Sequence, residues 1–181
     1  MGGLPNRRKC FNGAKNWFLG WYSSREISVM LSDLPFRVKL AAITDHGRAK
    51  EGEYTLLQLG NQHYLQYSHR DAVNDVSNDA VTITLAEQQG QPQKGTRILK
   101  EIDGHTSRFS IPNFEGSGST VVIEFCSKVR AFNQNLAADH VVLSIFLDGN
   151  VQGSRCDEDD EDDEGECGSI PYLVALGLCG K

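Results

Sequence analysis

The residues able to do chemistry are spread thinly along this chain. Its five histidines stand at His46, His63, His69, His105 and His140, and none is followed by glutamate. His63 and His69 flank a strand-to-loop junction with Asp71 nearby, which could seat a metal ion. Zinc takes at least three protein ligands, and the spacing places no third one, so surface histidines are the simpler reading. Asp45 and His46 are adjacent in a polar loop, where neighbours seldom face each other. Asn74, Asp75, Asn78 and Asp79 bring oxygen ligands into one loop, more simply read as turn residues. No GxSxG elbow occurs, and the serines near Gly116 sit in a plain turn. The sequence therefore predicts no catalytic, cofactor-binding or metal-ligating set within this chain.

Charge is unevenly placed. The formal net charge is -6, but residues 157–166 (DEDDEDDEGE) carry nine of the 24 acidic groups. The remainder has 15 acidic against 18 basic residues, a mildly basic body with a net of +3. The acidic run lacks the spaced D-x-[DN]-x-[DN]-G-x₅-E calcium loop. It reads as a solvated linker, with diffuse attraction for cations or basic surfaces as the functional alternative. No Lys/Arg stripe with interleaved aromatics appears, so nucleic acid is not an expected partner. No apolar run reaches the 18 residues a membrane helix needs, so no membrane is expected either. No apolar stretch of signal-peptide type precedes Cys10. The five cysteines, at 10, 126, 156, 167 and 179, form no CxxC. Their odd number leaves one thiol unpaired or paired between chains.

The elements that must position these residues are mostly strands. Ala14, Trp17, Phe18 and Trp21 recur at helical spacing, predicting a helix of about three turns N-capped by Asn12. Trp17 and Trp21 on one face offer a candidate binding surface for sugar or peptide, against the plainer reading of a core helix. Arg25 to Leu31 opens a sheet-forming region, with Met30 read as core, and Phe36 to Ile43 is an apolar strand. Tyr54 to Leu59 and His63 to Tyr67 read as a hairpin about Gly60-Asn61. Val81, Ile83 and Leu85 alternate with Thr82 and Thr84 as a half-buried strand. Further strands are predicted at Thr96–Ile102, Ser107–Ile111, Thr120–Phe125 and Val141–Leu147, the last closed by Asp148-Gly149. Eight or nine short strands predict a mainly β fold: an antiparallel β-sandwich-like module preceded by one short amphipathic helix. The expected divisions are an N-terminal segment 1–25, a β-rich domain 26–156, an acidic linker 157–169 and an apolar segment 170–181.

The stretch CFNGAKNWFLGWYSSR (residues 10–25) resembles the segment that follows the Met-turn in gametolysin-like metzincin metallopeptidases, the algal cell-wall lytic proteases. LLQLGNQHYLQYSHRDAVND (56–75), VVIEFCSKV (121–129) and HVVLSIFLDGNVQGSRC (140–156) resemble that family's downstream region. The HExxHxxGxxH zinc motif is absent from this chain, and so is the Met of the Met-turn. The resemblance implies the non-catalytic C-terminal part of a secreted zinc metalloendopeptidase, in a supporting or substrate-positioning role. Zinc is then expected only in a complete parent enzyme. The implied partners are a catalytic metalloprotease domain or a cell-wall glycoprotein, and the implied location is extracellular or the cell wall. Secretion would favour disulfides, with Cys126–Cys156 as the preferred pair. The alternative is a stand-alone extracellular module that binds glycoprotein or glycan and retains no enzyme activity.

Overall fold

The computed structural model describes residues 12–69, 79–88, 95–104, 107–133, 136–149 and 156. Helix α1 (Gly13–Leu19) begins as the sequence predicts, with Asn12 Oδ1 accepting the Lys15 N–H at 3.1 Å. It ends earlier than predicted. Gly20 adopts φ 65° and returns its N–H to the Trp17 carbonyl, which closes the helix after two turns and leaves Trp21 outside it. The four-residue stripe therefore splits: Ala14 and Trp17 turn to the protein, whereas Phe18 and Trp21 face solvent.

Ten strands follow: β1 (Glu26–Val29), β2 (Phe36–Ala41), β3 (Glu53–Tyr54), β4 (Leu56–Leu59), β5 (His63–Ser68), β6 (Ala80–Ala86), β7 (Thr96–Ile102), β8 (Arg108–Ile111), β9 (Val121–Val129) and β10 (His140–Leu147). They form two five-stranded sheets, in the orders β1-β4-β5-β6-β7 and β3-β2-β10-β9-β8. One core lies between them, built from Leu57, Leu65, Tyr67 and Ile83 on one side and Leu40, Ile123, Leu143 and Ile145 on the other. The protein is thus mainly β and sandwich-like, with a short helix in front.

Both sheets are mixed rather than purely antiparallel. β1 runs parallel to β4, and β2 parallel to β3. The cause is a crossing that the sequence did not reveal. Tyr54 to Leu59 was expected as one strand, but the chain leaves the second sheet after Tyr54 and enters the first at Leu56. Buried Thr55 makes the turn, its N–H bonded to the Arg25 carbonyl at 2.8 Å. Two smaller expectations also shift. A register irregularity between Ile83 and Thr84 buries Thr84 and turns Leu85 partly outward. Met30, expected in the core, is exposed.

β5 is buried on both faces, the pattern of a strand covered above and below. Leu65 and Tyr67 point into the core, while Tyr64 and Gln66 lie under α1. The helix docks through small and polar residues. A Cβ at Gly13 would stand 3.3 Å from Tyr64 Cβ, and buried Asn16 donates from Nδ2 to Gln66 Oε1 at 2.7 Å. Trp17 packs on Tyr64 with ring centroids 5.9 Å apart. Cys126 lies where the β9–β10 register shifts, and it is disulfide-bonded to Cys156 across a Cα separation of 4.9 Å. That is the pairing the resemblance favoured.

Candidate functional site

Six residues along one strand span about 20 Å. His63 opens β5 and His69 follows directly after its last residue, so the fold separates the pair that sequence spacing suggested as joint ligands. Asp71, Asn74, Asp75 and Asn78 lie outside the described residues, as does His105. Asp79 binds Lys128 and Arg130 instead.

At the far end of β5, His69 meets two aspartates from elsewhere in the chain. The 3₁₀ turn Ile43–Arg48 carries Asp45, whose N–H bonds the Ala42 carbonyl at 2.8 Å. The Ala42 N–H in turn bonds the Asp139 carbonyl at 2.8 Å, fixing that turn to the mouth of β10. Asp45 is 3% exposed and Asp139 5%. Asp45 Oδ1 accepts from Arg48 and Asp139 Oδ1 accepts the Ala131 N–H at 2.9 Å. Asp45 Oδ2 accepts the Asp139 N–H at 3.2 Å. His69 Nδ1 stands 3.8 Å from Asp45 Oδ2 and 3.7 Å from Asp139 Oδ2. Its Nε2 lies 3.4 Å from Thr44 Oγ1. Burial pushes the neighbouring Tyr67 phenol up, reinforced by the carboxylates of Asp79, Asp139 and Asp45 and opposed by Arg130.

The near end of β5 is different in kind. His63 stacks on Phe114 with centroids 5.3 Å apart, and desolvation lowers its basicity against the opposing pull of Glu115. Glu115 and Asn113 both hold positive φ, 50° and 47°, a region that non-glycine residues seldom adopt. The Glu115 carboxylate accepts the Asn61 N–H and, at 3.1 Å, Asn61 Nδ2. These residues line an open cleft of about 530 Å³.

A second cleft, of about 590 Å³, has His140 and Glu53 in its wall, with Lys39, Lys50, Phe132 and Leu136 around them. His140 Nδ1 is 3.5 Å from Glu53 Oε1. A carboxylate beside a histidine resembles half of a nucleophile-activating set, which also needs a hydroxyl or thiol within reach of the base. No Ser, Thr or Cys is among the described residues lining this cleft. Asp45 and His46, considered together from their adjacency, also part company: His46 stands edge-on to Tyr22, centroids 4.9 Å apart.

Of the two tryptophans, Trp17 is half-buried against Tyr64, whereas Trp21 is 58% exposed beside exposed Phe18 and Leu19. They do not make a shared platform. The cluster that sequence reasoning missed is Asp45, His69 and Asp139, whose members are 24 and 70 residues apart and leave no spacing signal. No protein-family model, curated protein or solved structure matches this chain.

Proposed function

We propose that this chain is the non-catalytic C-terminal part of a gametolysin-like secreted zinc metalloendopeptidase, acting beside the catalytic domain on extracellular or cell-wall glycoproteins. The observation that carries the reading is the docking of α1 on β5. These two elements come from separate stretches that resemble the family, 10–25 and 56–75. They meet through Trp17 on Tyr64 and Asn16 on Gln66. The Cys126–Cys156 disulfide supports an extracellular setting, since such bonds persist in oxidising compartments.

The exposed Phe18, Leu19 and Trp21 form the surface that would meet the catalytic domain, because they adjoin the stretch where the family resemblance places that domain's end. The same exposed Trp21 favours the second reading, a stand-alone module that binds glycoprotein or glycan.

Titration of the immobilised chain with a gametolysin-type catalytic domain separates the two. Saturable binding, weakened at least about tenfold by Trp21→Ala with Phe18→Ser, supports the first reading. Saturable binding to cell-wall glycoprotein without binding to the catalytic domain supports the second. Binding to neither, or peptide hydrolysis by the purified chain, overturns both.

A further inference from the structure

Asp45 Oδ1 accepts from Arg48 and its Oδ2 from the Asp139 N–H at 3.2 Å, while Asp139 Oδ1 accepts from the Ala131 N–H. Each carboxylate turns Oδ2 toward the same imidazole nitrogen. Gaps of 3.7 and 3.8 Å are beyond hydrogen-bond reach. They are close to what two ligands of one ion leave between themselves. Bonds of about 2.0–2.2 Å to tetrahedral zinc set neighbouring ligands about 3.3–3.6 Å apart. The ligand atoms of Asp45, His69 and Asp139 all lie within 4.8 Å of one another; the two gaps to His69 need a few tenths of an ångström of closure, and the widest separation up to about 1 Å or slightly more.

Two further observations point to a ligand. Tyr67 is wholly buried two positions before His69, and its hydroxyl has no hydrogen-bond partner among the described residues. A buried donor without a partner is costly, and an ion or its bound water at the carboxylates would satisfy it. The opposite ring nitrogen of His69 faces Thr44 Oγ1 at 3.4 Å. Metal-bound histidines are held by an outer partner of this kind, which fixes the tautomer and turns the other nitrogen to the ion.

From this arrangement we propose that Asp45, His69 and Asp139 form a structural site for a zinc-class divalent cation. One imidazole with two carboxylates is a borderline donor set that suits zinc; calcium takes six to eight oxygens. The site shares no residue with an HExxHxxGxxH motif. It joins the turn before β3, the end of β5 and the start of β10, and so ties one sheet to the other.

The test uses the full, oxidised chain, stripped with a chelator and titrated with zinc sulfate. One equivalent should bind and raise Tm by at least about 5 °C at saturation. His69→Ala should weaken uptake at least about 100-fold, and Thr44→Val about tenfold, as loss of an outer-shell partner does. Cobalt in the wild-type chain needs no variant to fold: its spectrum should show tetrahedral nitrogen and oxygen ligation without thiolate charge transfer. A stripped chain that folds and takes up no zinc overturns the proposal. So does uptake unchanged by His69→Ala, which would place the ion on the acidic run, or a thiolate band, which would place it on cysteine.

Discussion

Two histidines, one opening β5 and one just past its end, have opposite neighbours. His63 is stacked against an aromatic ring and desolvated, with a single carboxylate tempering that effect. His69 faces two buried carboxylates and a hydroxyl. Their places at the two limits of β5 say nothing of what waits there. What waits is decided by three segments distant in sequence: the 3₁₀ turn at Ile43–Arg48, the approach to β10, and the turn around Phe114. A strand supplies orientation, and chemistry comes from the ends where other segments arrive.

The contrast can be broken first at the carboxylate end. Asp139→Ala removes the acceptor of the Ala131 N–H and one of the two charges facing His69, and should cost about 3 kcal/mol in urea unfolding. At the aromatic end the comparable lesion is steric. Gly60 holds φ 61°, and a Cβ there would stand 2.6 Å from Glu115 and 2.7 Å from Phe114. Gly60→Ala should cost about 2 kcal/mol, from the left-handed backbone and the contact together, again read from urea midpoints. Asn16→Ala, which leaves Gln66 Oε1 buried without its donor, should cost about 1–2 kcal/mol and loosen only the helix, visible as faster amide exchange in α1.

The pH dependence sharpens the same comparison. His63 is depressed below its ordinary 6.5, so the folded state binds fewer protons than the unfolded chain as acid is added. Its contribution is complete above pH 6.5 and is lost as pH falls through the lower folded value. His63→Gln should flatten that part of the stability curve, and a curve of unchanged slope would show that His63 is not its source. The smallest effect belongs to Trp21→Ala, expected within about 0.5 kcal/mol because the side chain is exposed. A larger loss would mean that Trp21 is held by the fold rather than offered to a partner.

Much of the fold was legible in local pattern. β7 stands at the predicted bounds, β10 is the expected strand closed by Asp148-Gly149, and Asn12 announced the start of α1. Where reading failed, a distant or competing signal prevailed. Gly20 ended the helix before its apolar spacing did, and Thr55 divided a run that looked like one strand. The Asp45–His69–Asp139 cluster left no trace in spacing, because its geometry is made by sheet pairing rather than by neighbours in sequence. An aspartate directly before the apolar run of β10 was the one local hint, and many surface turns carry the same pattern.

The crossing at Thr55 also bears on the order in which the molecule can be assembled. β2 borders β3 on one side, but its long neighbour is β10, with Leu40 opposite Val141 about a hundred residues later. The second sheet therefore waits for β10, through Leu147, to emerge from the ribosome. Contacts this distant fold slowly, since a long loop must close before they are rewarded. Val38 and Leu40 lack their β10 partners until then. A nascent chain of about 110 residues, carrying every strand of the first sheet, should remain protease-sensitive, and protection should arrive only once residue 147 has cleared the exit tunnel.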